Sequence, residues 1–299
     1  MKENGQNRTD GHKSKEGYKR KDGQGRRIAV FAGTYEGHRL AEELEAVLQK
    51  EAGAGHGLQV FVLVATPYGQ KVLSGLKNVR IVCGRKDRAQ MEAFLKEKDI
   101  RFVVDATHPF AREASVNIRQ ACAGAGCLYE RLLREETWTE EELREKTLAG
   151  KVIVAEDIPE AVSILSVQKG RIFVTTGSKE AACYREIPDY QSRVVLRVLP
   201  GEEIREGLLA LGFLPGQILQ AEGPFDQAAN EAALQEYAAS FLVTKDSGAH
   251  SGTREKLLAA EHLGVTVVLI RRKREEGRSG SEMRELLWEY IEDGETGTV

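Results

Sequence analysis

A chain of 299 residues, 41% of them apolar, has material for one large or two medium hydrophobic cores. Its 43 lysines and arginines against 46 aspartates and glutamates leave a formal charge of -3, which excludes a global pull on nucleic acid or an anionic membrane, so any anionic ligand must be held locally. No apolar stretch approaches the roughly 20 residues needed to cross a bilayer and the N-terminus lacks a signal-peptide core, so a soluble, cytoplasmic protein is expected.

Residues 1–26 are polar and rich in Gly and Lys, with almost nothing to bury, and predict a disordered tail. Ile28-Ala29-Val30-Phe31 then reads as a strand buried on both faces. Leu40, Leu44, Val47 and Leu48 fall at helical spacing, and the stretch from Gly53 to Gly57 closes that helix. The alternation continues with strands at 58–65, 79–82 and 102–106 and helices at 91–98 and 111–123. A helix-rich, charged stretch over 134–151 interrupts it and is the candidate linker. The cycle restarts with strands at 151–155, 171–175, 193–198, 217–222, 241–244 and 266–270 and helices at 159–165, 202–211, 227–237 and 253–263. Strands alternating with helices predict mostly parallel sheets covered on both faces, in two α/β domains spanning 27–150 and 151–299. Ligands of open α/β sheets bind outside the carboxyl ends of the strands, so the expected site is an interdomain cleft.

Four strand-end loops concentrate chemistry. Ala32-Gly33-Thr34-Tyr35-Glu36-Gly37 lies between a strand and a helix, where glycines permit close backbone approach and free N–H groups favour an anion, although a plain turn also fits. Asp105-Ala106-Thr107-His108-Pro109-Phe110 ends a strand in three polar groups, more than one helix cap needs, and offers a proton donor or ligand clamp. Thr175-Thr176-Gly177-Ser178-Lys179 could cradle phosphate or carboxylate at a helix start, or be a serine cap with a solvated lysine. Thr244-Lys245-Asp246-Ser247-Gly248, followed by Ala249-His250-Ser251-Gly252, carries more polarity than a structural turn requires. A fifth segment, Gly223-Pro224-Phe225-Asp226 with Asn230 beyond it, reads on chemistry alone as a turn and a core aromatic.

His12, His56 and His262 have no sequence partners, and no His-x-x-x-His or carboxylate cluster suggests a protein-bound metal. Cys83, Cys122, Cys127 and Cys183 form no C-x-x-C pair and are expected as free thiols. A Walker A loop, a G-x-S-x-G elbow and an aromatic-basic stripe are all missing, which weighs against NTPase, hydrolase and RNA-binding classes.

Taken together the loops resemble one family, the precorrin-6A or cobalt-precorrin-6A reductases of cobalamin biosynthesis. The likeness runs from about Arg27 to Arg272 and rests on Gly33-Thr34-x-Glu36-Gly37, Asp105-Ala-Thr-His-Pro-Phe-Ala111, the segment from Leu128 to Arg134, Thr175 to Ser178, Gly223-Pro-Phe225 and Thr244-Lys-Asp-Ser-Gly248. The resemblance implies two Rossmann-like domains around a cleft and hydride transfer from NADPH or NADH to the C18=C19 bond of the macrocycle. It places cofactor contacts at Gly33, Thr34, Glu36, Gly37, Thr176, Gly177, Ser178, Lys179, Ser247 and Gly248, and substrate contacts at Arg39, Thr107, Arg112, Tyr129, Arg131 and Phe225, with the division between ligands open. Asp105, His108, Lys245 and Asp246 are the candidate catalytic groups, the first two ranked ahead as proton donors. Implied partners are a tetrapyrrole-derived small molecule and, transiently, neighbouring cobalamin-pathway enzymes, with no nucleic acid and no membrane. The competing readings are another nicotinamide-dependent reductase on the same plan and a non-catalytic corrinoid or nucleotide-binding module.

Overall fold

The computed structural model describes residues 26–51, 57–248 and 251–292. The tail expected over 1–26 therefore lies outside the described residues except for Arg26, which is buried and accepts a backbone hydrogen bond from Gln59 N at 2.7 Å. His12, His56, Ala249 and His250 also lie outside them.

The first sheet contains β1 (Arg27–Ala32), β2 (Gln59–Val64), β3 (Arg80–Cys83), β4 (Phe102–Ala106) and β5 (Leu128–Arg131). All pairings are parallel and the spatial order is β3-β2-β1-β4-β5. Parallel strands need crossovers, here α1 (Tyr35–Glu51), α2 (Pro67–Val72), α3 (Arg88–Glu97) and α4 (Arg112–Ala125). Because both faces are covered, successive residues of β1 enter opposite cores: Ile28 and Val30 pack with Leu40 and Leu44 of α1, and Ala29 and Phe31 pack with Leu95 of α3 and Ile118 of α4. α5 (Glu140–Leu148) follows, started by a capping box between Thr139 and Glu142.

The second sheet contains β6 (Val152–Ala155), β7 (Arg171–Val174), β8 (Val194–Val198), β9 (Ile218–Gln220), β10 (Ala239–Lys245) and β11 (Thr266–Ile270), again all parallel, in the order β6-β11-β10-β7-β8-β9. Its helices are α6 (Ile158–Ser166), α7 (Tyr190–Arg193), α8 (Glu202–Ala210), α9 (Gln227–Glu236) and α10 (Thr253–Leu263), and α11 (Gly280–Glu292) ends the described chain. Among the described residues no helix is long and apolar enough to cross a membrane.

Read from β7, the order β9-β8-β7-β10-β11 repeats that of the first sheet, and β6 fills the sixth position of the doubly wound plan. β6 precedes β7 in the chain, so this edge strand is delivered by the segment that leaves the first sheet. In return, residue 278 forms a parallel bridge with Leu132 just past β5, and α11 sends Met283, Leu287 and Ile291 into the core beside Ile28 and Val30. The two units thus exchange their last elements. A cut at residue 150 that assigns 151–299 to the second domain is corrected for α11, which completes the first core. Apolar burial decides this, because the first core is open to solvent on that side without Leu287 and its neighbours.

Several local expectations also shift. β5, α2 and α11 were not anticipated: Leu128-Tyr129-Glu130-Arg131 has no apolar run to mark a strand, yet pairs in register with 102–105. The linker over 134–151 is helical as expected, in α5, but it is more than a spacer, since Leu143 packs on the second core. The loop after β7 leads into a 3-10 helix, Ala181–Glu186, so the α-helix start expected there to cradle an anion is not formed.

Candidate active site between the two units

In each unit the strand order reverses at one point, between β1 and β4 in the first and between β7 and β10 in the second. The carboxyl ends of those four strands are the four polar loops singled out in the sequence, and direct contacts bring them together. Gly33 N donates to Ala106 O at 3.2 Å, tying the β1 loop to the β4 loop. Lys245 Nζ donates to Glu180 Oε2 at 2.6 Å, tying the β10 loop to the segment after β7. Phe110, from the β4 loop of the first unit, packs against the core of the second, and Lys245 Nζ sits 5.1 Å from its ring centroid.

Asp105 is fully buried at the end of β4 and is the hub of a polar cluster. It accepts from Thr107 N at 3.0 Å, Thr107 Oγ1 at 2.7 Å, Tyr129 OH at 2.8 Å and Arg131 at 2.8 Å. Arg131, itself 4% exposed, also pairs with Glu275 at 3.0 Å. Burial, then the adjacent Asp105, pushes the Tyr129 phenol up, so it remains a donor. The Asp105 carboxylate is fully engaged by this network, which fixes loop shape, while Arg131 Nε is buried without a hydrogen-bond partner.

His108 is placed differently. Burial, then the charges of Arg134, Lys245, Arg131 and Lys256, pull its pKa down to about 3. Phe110 N donates to Nδ1 at 3.3 Å, which leaves the neutral ring with its proton on Nε2. Asp246 accepts from Thr137 Oγ1 at 2.9 Å and lies 3.6 Å from Arg272, so it too is already engaged. Of the four candidate catalytic groups, Lys245 and His108 are those with hydrogens not committed to a carboxylate network.

Thr34 caps α1, accepting from Gly37 N at 3.2 Å, and is 4% exposed. A Cβ at Gly37 would lie 2.9 Å from Ala106 Cβ and 3.0 Å from Ala32 Cα, so the first turn of α1 is seated where only glycine fits, whereas a Cβ at Gly33 would make an ordinary contact, 3.4 Å from Thr107 Cα. Gly248 has φ of 91° and its Cβ would meet Glu135 O at 2.9 Å. Gly177 has φ of 87° and opens onto space, with Thr176 Oγ1 3.0 Å from Tyr184 OH and Ser178 O accepting from Ala181 N.

Not every candidate reaches the crevice. Arg39 is exposed, pairs with Glu42 at 3.4 Å and lines a depression of about 550 Å³ beside Arg284. Arg112 and Lys179 are exposed. Ser247 contributes its carbonyl, which accepts from Arg134, rather than its hydroxyl. Phe225 stacks on Arg197 at 4.1 Å.

Sequence reasoning missed Arg134, which joins Glu36 of the β1 loop to Ser247 of the β10 loop, and it missed Arg197. A lone Arg in a charged stretch carries no signal; an Arg inside the apolar strand Val194–Val198 did, since a buried charge needs a reason. A cavity of about 700 Å³ opens beside Arg134 and Asp246, walled by Trp138, Arg271, Arg272 and Arg274.

The family model described as Precorrin-6x reductase CbiJ/CobK matches residues 27–290. A cobalt-precorrin-6A reductase from Salmonella typhimurium (strain LT2) is 33% identical over 82% of this chain and 87% of its own length. One from Methanothermobacter thermautotrophicus is 29% identical over 82% of this chain and 76% of its own, and a precorrin-6A reductase from a Sinorhizobium species is 28% identical over 83% and 85%. The solved structure of CobK precorrin-6A reductase superposes with a TM-score of 0.63 at 24% identity, covering 89% of this chain and 98% of that one, and shows the shared fold.

Proposed function

Since this chain belongs to the precorrin-6x reductase family, we propose that it transfers a hydride from NADPH or NADH to the C18=C19 double bond of precorrin-6A, or of its cobalt form, yielding the corresponding precorrin-6B. It is an oxidoreductase of cobalamin biosynthesis. The observation that carries the finer reading is the convergence of four polar loops on the two switch points, one per unit, which suits a dinucleotide on one side and a macrocycle on the other.

The residues present fit a nicotinamide cofactor. The glycine turn at Gly33, closely backed by Thr107, opens a 17-residue helix whose first N–H groups can meet a phosphate, and the unobstructed turn at Gly177 offers a second approach for an anion. When bound, the nicotinamide supplies the hydride, and the protein supplies alignment and a proton. Asp105, with Arg131, Thr107 and Tyr129, holds the floor of the crevice rigid. Neutral His108 presents Nε2–H and orients. Lys245 has one ammonium hydrogen on Glu180 and others free, and is the proposed proton donor to the carbon next to the one reduced.

The test is anaerobic: loss of reduced-nicotinamide absorbance with NADPH or NADH and with precorrin-6A, with and without cobalt. Oxidation dependent on one macrocycle supports the reaction and assigns both cofactor and metal state. No oxidation in any combination, from folded protein, overturns it in favour of a binding module.

A further inference from the structure

Arg134 and Glu36 meet at the crevice, and the reaction above gives neither a task. Arg134 Nε lies 3.0 Å from Glu36 Oε2, and the two side chains are 6% and 12% exposed. Yet among the described residues neither Glu36 oxygen nor Arg134 Nε makes a hydrogen bond. At that separation the N–H must point off the carboxylate, so the contact is ionic without being a bond. Both groups are out of water with their hydrogen-bonding capacity unmet, which is the costly form of a buried pair. Arg134 has a second anchor, the Ser247 carbonyl, which does not depend on Glu36.

The pair sits where a ligand anion is expected. Glu36 is the second residue of α1, just past the Gly33-Thr34 turn at the carboxyl end of β1. A helix start at a switch point is where an α/β sheet offers its N–H groups to a dinucleotide phosphate. A carboxylate there supplies the negative charge that the helix dipole favours, and competes with a phosphate for the same place. Glu36 lines the cavity of about 550 Å³, which also meets the first turn of α11 at Gly280 and Ser281, so two helix starts border it. Arg134 lines both this cavity and the one of about 700 Å³ beside Asp246, so it stands between them.

We propose that Glu36 is an internal stand-in for the diphosphate of the dinucleotide, and that Arg134 exchanges the Glu36 carboxylate for that diphosphate on binding. Glu36 is then a built-in competitor rather than a cofactor contact, and Arg134 is the cation that meets the ligand. The choice of a dinucleotide rests on the reaction proposed above; the exchange of one anion for another at Arg134 does not.

Equilibrium binding tests it without turnover. NADPH and NADH are followed by nicotinamide fluorescence, and ADP, which carries the diphosphate without the nicotinamide, by calorimetry. The proteins are wild type, Glu36→Gln, Arg134→Met and the double variant. The expected result is affinity for all three ligands raised about fivefold or more in Glu36→Gln and lowered by a similar factor in Arg134→Met, with the gain lost in the double variant. A pair that only ties the two units together would give a loss in both single variants, so unchanged or weaker binding in Glu36→Gln overturns the proposal. A gain that persists in the double variant also overturns it, because Arg134 would have no part in that gain. Precorrin-6A, followed by absorbance, is the other anionic ligand, and tightening for it alone overturns the diphosphate assignment. Should Arg134→Met fail to fold, Glu36→Gln and the double variant, in which no carboxylate is stranded, decide. A wild type that binds NADPH but never oxidises it with either macrocycle sinks the reaction and leaves this test intact.

Discussion

Arg134 Nε and Glu36 Oε2 meet at 3.0 Å, and the same guanidinium donates to the carbonyl of Ser247, so a single side chain joins the β1 loop of one unit to the β10 loop of the other. The side chains of this pair are 6% and 12% exposed. Burial lowers the pKa of Arg134 and Glu36 raises it again. Arg134→Met strands the Glu36 carboxylate and is expected to cost about 3–5 kcal/mol, read as a lower denaturant midpoint. Glu36→Gln with Arg134→Met in the same chain should recover a large part of that loss, and recovery of none would show that the pair is not the source.

Asp105→Asn separates an organising role from a proton-donating one. The substitution leaves Arg131 with one carboxylate partner, Glu275, and removes the charge accepting from Thr107 and Tyr129. A stability loss of about 3–5 kcal/mol is expected by analogy with other broken buried pairs. A variant as stable as wild type but devoid of turnover would contradict the organising role and restore Asp105 as the acid.

His108 sets a pH dependence whose sign is definite. Its folded pKa, about 3, lies below the ordinary 6.5, so the unfolded chain binds a proton first as pH falls. Stability should therefore decline from pH 6.5 down towards 3 on account of this residue and be unaffected by it above 6.5. His108→Gln should flatten that part of the stability curve measured by chemical denaturation. Activity should likewise show no limb from His108 between pH 5 and 8, and a limb there that vanishes in His108→Gln would refute the neutral assignment.

Gly37→Ala tests how closely α1 is seated on the sheet. The added methyl would lie 2.9 Å from Ala106 Cβ and 3.0 Å from Ala32 Cα, neither of which is a flexible side-chain end. Overpacking of this kind costs about 1–3 kcal/mol, and displacement of the helix start should also weaken NADPH binding in a fluorescence titration. Wild-type stability and affinity together would mean that the helix can shift freely.

The residues themselves determined the α/β class, the parallel strands and the four loops, because each rests on local signals. Apolar runs such as Ile28 to Phe31 mark buried strands, and Asp105 to His108 or Lys245 to Ser247 stand out as polar residues packed at strand ends. The expectation that Thr34, Asp105 and Asp246 act directly on ligands met a different arrangement, since a polar residue reads the same in sequence whether it faces a ligand or a neighbour. Only the tertiary structure decided that α11 returned to the first core and how Arg134 and Arg197 acquired their surroundings. The physical reason is that hydrophobic periodicity states which face of an element is buried but not against what, and a charge takes its meaning from groups more than a hundred residues away, as Arg134 does from Ser247.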